Sequence, residues 1–315
     1  MSRLIRVHCS NDGPEKPMKK KFHQDVDTVS EYSQLSAWKS ASTSDRLNVV
    51  YGFAVVLVVA VSYVLGAFGW LPHDPEAMDL DTMMADPFTN GYLLGTDFMG
   101  RDILTRLILG IQAYFLPSVL AVFIALGLGS LLGVLSGYWR RRFETPVTYF
   151  SNLIDSLPRM VLMLLVIAAF RPSIYTIMVV FGITTAPTIA MLVKGKVMML
   201  RERNFIESAV ALGLSPGVII FKHILWFNCR ALLLIQATIG MAEAVLLETS
   251  LSYLGFGVQE PTPSWGNMVQ AGANYLLQGN FWPSTAPAIA IMLTVLGFHL
   301  LGDGLNNILE GRQNR

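Results

Sequence analysis

Charged residues are scarce in this 315-residue chain: Asp, Glu, Lys and Arg make up 14% of it, against roughly a quarter in soluble domains. Hydrophobic residues make up 53%, and the mean hydropathy is +0.49. The formal net charge of +1 gives no indication of nucleic-acid binding or of an acidic substrate. This composition excludes an ordinary soluble enzyme and predicts a membrane protein.

Cysteine and catalytic motifs are nearly absent. The two cysteines, Cys9 and Cys229, cannot supply a disulfide framework, and we interpret both as structural or incidental. Gly195-Lys196 lacks the remaining residues of a phosphate-binding loop. His73 has only loop acids beside it, so a solvated histidine is favoured over a metal ligand, because metal sites need fixed geometry. We therefore expect no catalytic residue, bound metal or cofactor in this chain.

Long apolar runs are what the chain has in abundance. A bilayer core about 30 Å thick requires about 20 apolar residues per helix, and six runs of this kind occur. The predicted fold class is an all-α polytopic membrane protein, with spans near 49–71, 115–137, 147–170, 174–193, 232–253 and 286–301. The transmembrane domain is expected at 49–308, between tails at 1–48 and 309–315.

The N-terminal tail is polar and rich in serine, so it is expected to be largely mobile, with a short interfacial helix around Tyr32 to Lys39. It has no apolar signal core, and insertion is expected to depend on the first span. Positive charge collects in the tails, at 140–142 and at 194–230, whereas the loop after the first span is acidic. Short positive loops stay in the cytoplasm. Both termini are therefore predicted to be cytoplasmic.

The segment from Arg201 to Trp226 interrupts the apolar runs and is predicted to be cytoplasmic. Phe205, Ala209 and Leu212 recur at helical spacing, while Gly213 and the run 215–217 break the helix. Two short helices with a tight bend are expected. The apolar run 218–221 then needs cover, either from the membrane surface or from a groove on a partner.

Several residues of this segment resemble the EAA loop of importer-type ABC transporter permeases. They are Glu207-Ser208-Ala209, Gly213 and His223-Ile224-Leu225. Four more stretches resemble the dipeptide, oligopeptide and nickel branch of that family: 94–97 with 100–102; 155–158; 250–257 with 261–266; and 301–305. One departure is Trp226, where many members have proline.

The resemblance implies a permease subunit in a bacterial inner membrane that imports a peptide-like solute or a nickel chelate. Its EAA loop would form a coupling helix that docks on an ATPase. The matching residues are Glu207, Ser208, Ala209, Gly213, Leu214, Ser215 and Pro216. The implied partners are a second homologous permease, two cytoplasmic ABC ATPases that bind ATP and magnesium, an extracytoplasmic solute-binding protein and membrane lipid, with no nucleic acid.

Charged side chains within spans need an explanation, because each costs at least ~2.5 kcal/mol on insertion scales. Glu243 and Glu248 could line a substrate path or be satisfied by neighbouring helices. Arg159 has Asp155 four residues before it and is expected to pair with it. Trp265 ends a rigid segment, 259–265, that is expected to be exposed outside, where it closes a gate or contacts the binding protein.

Two further features have alternative interpretations. Asp102 is expected to begin a solvated helix and pair with Arg106, although contact with a binding protein is the alternative. Small residues at Gly127, Gly129, Gly133 and Gly137 predict close packing, within the subunit or between subunits.

Two other function classes compete with the permease interpretation. A stand-alone secondary transporter could use Glu243 or Glu248 for ion coupling, but such folds usually have an internal repeat, which is not evident here. A membrane-bound enzyme would need clustered catalytic polar residues, and none is recognisable.

Overall fold

The computed structural model describes residues 42–170 and 173–310, which are mostly helical. The helices, numbered in chain order, are α1 Thr43–Ala67, α2 Ile103–Tyr138, α3 Arg140–Asp155, α4 Arg159–Phe170, α5 Ile174–Arg201, α6 Asn204–Ala211, α7 Pro216–Tyr253, α8 Trp265–Ala273 and α9 Trp282–Glu310. Within α7, Ile219–Cys229 has the wider π-helical turn. The described residues form no strand, only two isolated bridges. The all-α class is confirmed.

Five of these helices are long and apolar enough to cross a bilayer: α1, α2, α5, α7 and α9. The expected third span at 147–170 is not one continuous helix, because α3 and α4 meet at an angle of 75°. Pro158 explains the break, since proline disfavours helical backbone in the residue before it. The bundle therefore has five spans, or six if the bent pair is counted as one.

The helices extend beyond the apolar runs that predicted them. Helix α2 begins at Ile103, twelve residues before the predicted start of the second span. The first turn of α2 is possible because the Asp102 side chain accepts hydrogen bonds from the backbone N–H groups of Leu104 and Thr105. Helix α1 begins at Thr43, inside the segment expected to be a tail. The predicted helix around Tyr32 to Lys39 lies outside the described residues.

Loop contacts divide the bundle into two ends. Residues 68–102 and 254–281 meet at one end, which we call the acidic-loop end; there the ring of Phe98 stacks on that of Tyr275, with centroids 5.5 Å apart. The other end, which we call the α6 end, carries α6 and the start of α7. Here the Arg201 guanidinium lies over the Tyr138 ring, 5.7 Å from its centroid. The opposite ends of long helices thus present different surfaces.

Helices α2 and α5 form the most extensive contact in the bundle. Gly129, Gly133 and Gly137 of α2 face Ile189, Val193 and Val197 of α5, and a Cβ added at any of these glycines would come within 3.0 Å of its partner side chain. Both series advance by four residues, so the two backbones approach along one seam. For these three glycines, packing within the subunit is confirmed. A Cβ added at Gly127 would meet nothing within 4 Å.

Candidate functional sites

Helix α6 ends in a sharp, hydrogen-bonded turn at Gly213. The Gly213 N–H donates to the Val210 carbonyl at 2.9 Å, and the Leu214 N–H donates to the Ala209 carbonyl at 3.1 Å. These two bonds are the Schellman pattern that closes a helix C-terminus. Gly213 has φ +76°, a conformation that residues with a Cβ resist. The predicted glycine bend is confirmed.

The apolar face of α6 differs from the predicted one. Ile206 and Ala209 are buried and pack in a cluster with residues of α5 and α7. Phe205 and Leu212, which recur at helical spacing with Ala209, are 43% and 82% exposed. Because the expected set, 205, 209 and 212, spans the end of the helix, only Ala209 of it points inward. The outer side of this turn is apolar and uncovered within the described residues.

Glu207 and Ser208 lie on the exposed side of α6. The Ser208 hydroxyl donates to the Asn204 carbonyl at 2.9 Å, one helical turn back. Leu214, Ser215 and Pro216 are also exposed. Of the seven residues expected to dock on an ATPase, all except Ala209 thus share one accessible surface with the exposed apolar residues. We call this surface, 205–216 without Ile206 and Ala209, the α6 surface.

The second helix of the segment is not short. It starts with Pro216 in its first turn, where a missing N–H costs nothing, and continues as α7 to Tyr253. Ile219 and Ile220 are buried inside the subunit. They therefore do not need to be covered by the membrane surface or by a groove on a partner. Trp226 is 67% exposed in mid-helix. Because α7 continues past residue 226, this position is not a helix end. It therefore does not need the proline that many members of the resembled family have there.

The run 213–217 also fits the GxSxG pattern of hydrolase nucleophiles. That pattern has its meaning at a turn from a strand into a helix. Here it joins two helices, and no strand lies among the described residues. The run carries no argument for catalysis.

A buried ion-pair cluster at the acidic-loop end was missed by the sequence analysis. Arg101 donates from Nε to Asp97 at 2.7 Å and from Nη1 to Glu260 at 2.9 Å. Arg106 donates from Nη2 to the other Glu260 oxygen at 2.8 Å. Both arginine side chains are 3% exposed. The cluster ties residues 97–106 to a loop more than 150 residues later.

A sequence signal for this cluster was available. Arginine is rare on the translocated side of membrane proteins, and the predicted outer loops hold only Arg101, Arg106 and Arg171. An arginine that lies on the translocated side despite this rule is expected to have an acidic partner. The expectation of a solvated helix start was wrong, because the partner Glu260 lies in a distant loop.

Asp102 caps α2 as expected but does not pair with Arg106. Its Oδ2 accepts from the Thr105 hydroxyl at 2.6 Å and lies 3.0 Å from Nδ1 of His73. His73 also contacts the Tyr92 ring, with centroids 4.8 Å apart. His73 is thus a half-exposed hydrogen-bonding partner of the cap. Among the described residues, no group of three or more His, Cys, Asp or Glu side chains is arranged to hold a metal ion.

Glu248 and Trp265 are buried inside the subunit. Glu248 is fully buried, and its Oε1 accepts from the Ser252 hydroxyl at 2.6 Å. Trp265 is 3% exposed and donates from Nε1 to the Leu107 carbonyl at 2.9 Å. The expectation of an exposed segment through Trp265 was wrong for its last three residues, since 263–265 are buried. Glu248 is buried as the packing alternative requires, but its hydrogen bond lies within its own helix, and among the described residues its Oε2 has no hydrogen-bond partner.

Glu243 has a different environment, because it pairs with Arg159. The Arg159 Nη1 donates to Glu243 Oε2 at 3.0 Å, and its Nη2 donates to the Thr188 hydroxyl at 3.2 Å. The expected pair of Arg159 with Asp155 is wrong, because the chain bends between them and they do not share a helix. The Arg159 and Glu243 side chains are 36% and 41% exposed.

Comparison with known proteins identifies the family. Residues 129–315 match the family described as the binding-protein-dependent transport system inner membrane component. The chain belongs to this family. The matched region contains α3 to α9, including the α6 surface, so the family resemblance is confirmed.

Relatives of this inner-membrane component cover nearly the whole chain. A probable D,D-dipeptide transport system permease protein of Escherichia coli K12 is 33% identical over 82% of this chain and 86% of its own. A dipeptide transport system permease protein of Alkalihalophilus pseudofirmus is 32% identical over 89% and 91%. A glutathione transport system permease protein of Pectobacterium atrosepticum is 31% identical over 84% and 87%.

Proposed function

We propose that this protein is a permease subunit of an ATP-driven importer for di- or oligopeptides, and that ATP hydrolysis takes place on partner ATPases. The observation that carries the proposal is the α6 surface: a rigidly capped helix end that presents Glu207 beside exposed apolar residues. A surface of this kind, uncovered in the subunit, is suited to a partner groove. The peptide class is inferred from the relatives, which are permeases of D,D-dipeptide, dipeptide and glutathione transport systems.

The proposed assembly contains a second permease, two ATPases and an extracytoplasmic solute-binding protein. The α6 end faces the cytoplasm in this arrangement, because its loops carry the positive charge. The acidic-loop end faces the opposite compartment and receives the binding protein. ATP and magnesium stay on the ATPases, and this chain binds neither.

Force can pass from the docking site into the membrane through one element. Helix α7 starts at the α6 surface and runs without interruption to Tyr253, about 57 Å at 1.5 Å per residue. Buried residues on its inner side, Ile219, Ile220 and Ile224, fix its start against α5 and α6. A displacement of α6 by an ATPase therefore moves the helix that carries Glu243.

The test is uncoupling by substitution at the α6 surface. Glu207→Arg reverses the exposed charge, and Gly213→Pro removes the left-handed turn and the N–H that closes it. We expect both variants to insert in the membrane but to lose ATPase co-purification and peptide uptake. Glu76→Arg is the matched control, because Glu76 is exposed at the opposite end and its reversal should leave the ATPases bound.

Two results would contradict the proposal. One is normal ATP-dependent uptake by Glu207→Arg and Gly213→Pro together with their ATPases. The other is uptake by the wild-type subunit in vesicles with an imposed proton gradient and no ATP, which would favour a secondary transporter.

A further inference from the structure

The break between α3 and α4 lies at the depth of the membrane core. Arg159, the first residue of α4, contacts Glu243 and Thr188. Glu243 lies thirteen residues after Arg230 and ten before Tyr253, and Thr188 lies fourteen after Ile174 and thirteen before Arg201. Because α7 begins at Pro216, Glu243 lies in the half of that helix nearer Tyr253, whereas Thr188 lies near the middle of α5; both are inside bilayer-spanning helices. The non-helical residues 156–158 are therefore placed within the membrane-spanning part of the bundle.

This broken backbone is exposed in the subunit. Residues 155–158 all lie at the surface. Irregular backbone facing lipid is not tolerated, because hydrocarbon cannot satisfy its N–H and C=O groups; it occurs where protein covers it or where it lines a water-filled cavity. In transporters, interrupted helices near the midplane mark the substrate path. The face that carries the break thus does not face lipid.

The ion pair beside the break leads to the same conclusion independently. Charged side chains within a membrane face the bundle interior or water and not lipid. More than a third of each of the Arg159 and Glu243 side chains is exposed, and Thr188 is exposed as well. The Arg101 and Arg106 side chains, by contrast, are each only 3% exposed. The pair of Arg159 and Glu243 is open to a ligand.

We propose that Arg159, Glu243 and Thr188 form a substrate-contact site in the translocation path, which receives the charged termini of a peptide-like zwitterion. This inference deepens the proposed function and rests on it. A guanidinium binds a carboxylate through two parallel hydrogen bonds, so Arg159 takes the substrate's C-terminal carboxylate. Glu243 takes the N-terminal ammonium, and the Thr188 hydroxyl is released to the substrate.

Charge balance favours this exchange. Without substrate, Arg159 and Glu243 neutralise each other across 3.0 Å, so neither of them is left as an unpaired charge. A zwitterion brings one charge of each sign and replaces one ion pair by two, without leaving a charge alone. The empty pair competes with the substrate, so binding stays weak. Weak binding suits a path in which solute must also leave.

The first experiment tests access from water in the assembled transporter. Thr188→Cys is made in a subunit carrying Cys9→Ser and Cys229→Ala and is exposed to a charged, membrane-impermeant thiol reagent. We expect labelling in the resting or the nucleotide-bound state, and slower labelling when dipeptide, binding protein and ATP are present. Phe123→Cys is the matched control: Phe123 is 76% exposed on an apolar part of α2 and should stay unlabelled. An unreactive Thr188→Cys in every state overturns the inference, as does labelling that substrate does not slow.

The second experiment asks which end of the substrate each charge contacts. Uptake is measured for a mass-resolved mixture of dipeptides and for the same dipeptides with acetylated N-termini or amidated C-termini, each corrected for its affinity for the binding protein. We expect Glu243→Gln to lower uptake of free dipeptides about tenfold and to abolish the disadvantage of acetylated ones. Arg159→Gln should likewise lower uptake of free dipeptides about tenfold and should abolish the disadvantage of amidated ones.

The outcomes separate this inference from the proposed function. If the wild-type transporter moves no peptide with ATP, the proposed function is wrong. If the wild type transports but both variants change all three substrate forms by one common factor, the site does not read substrate termini and the inference is wrong. If a charge variant fails to assemble, the labelling and protection of Thr188→Cys decide alone.

Discussion

The two ends of the bundle differ in which side chains they bury and which they expose. At the acidic-loop end, Arg101 and Arg106 are charged yet almost fully buried, and each has an acidic partner. At the α6 end, Leu212 is apolar yet 82% exposed. The charges of Arg101 and Arg106 are neutralised within one chain, because Asp97 and Glu260 pair with them. The α6 end leaves apolar surface uncovered, which a soluble region avoids unless a partner covers it.

The comparison also separates stability from assembly. Contacts of the acidic-loop end join segments far apart in sequence, so they hold the fold together. The contacts within the α6 surface are local, and its outer side chains touch little of this chain. Substitutions in the Arg101 and Arg106 cluster should therefore destabilise the subunit, whereas those on the α6 surface should leave it folded and lower partner binding.

The largest effect is expected for Arg101→Met. Removing the guanidinium leaves Asp97 and Glu260 near each other without one of their two arginines, and breaking a buried pair costs roughly 3–5 kcal/mol. Thermal denaturation of the purified subunit in detergent should show a large fall in Tm. A Tm close to the wild-type value would mean that the cluster is solvated and that the two ends do not differ as described.

Two glycines with nearly the same backbone conformation give a matched test. Gly100 has φ +74° and Gly213 has φ +76°. A Cβ at Gly100 would lie 1.9 Å from the Asp79 carbonyl oxygen, whereas one at Gly213 meets nothing within 4 Å. Gly213→Ala should thus cost only the left-handed conformation, about 1–2 kcal/mol, and Gly100→Ala distinctly more. Equal losses of Tm would contradict the tight packing at the acidic-loop end.

Leu212→Ser should separate assembly from stability. The side chain is 82% exposed, so the free energy of unfolding should change by less than about 0.5 kcal/mol. If an ATPase covers this leucine, the loss of about 1.4 kcal/mol of burial weakens docking about tenfold. Titration of the ATPases onto the permease measures this. Leu277→Ser is the control, because Leu277 is 99% exposed at the other end; a tenfold loss there too would remove the distinction.

The smallest effect is expected for Arg140→Gln. Arg140 pairs with Glu144 at 2.8 Å, which resembles the Arg101 pairs in distance but not in burial, since 58% of the arginine side chain is exposed. Solvent screens such pairs, and many contribute nothing measurable. The Tm should match that of the wild type within error. A loss near that of Arg101→Met would show that burial does not set the difference between the ends.

Residue patterns predicted best where the physical cause is local. The left-handed Gly213 turn follows from a glycine at the end of a helical pattern, and the Asp102 cap follows from an acid before one. The spans follow from runs of apolar residues. Failures occurred where the partner is distant: Arg159 was assigned to Asp155, its sequence neighbour, whereas Glu243 lies 84 residues away.

The sequence by itself determined the membrane environment, the family and the place of the EAA-like segment, since each depends on composition or on a short ordered motif. Only the tertiary structure decided which charges are buried together, which face of α6 is covered and that α7 is one helix from Pro216 to Tyr253. The reason is that burial and ion pairing depend on how distant segments approach. The sequence can predict that Arg101 needs an acidic partner, but only the fold brings Glu260 to it.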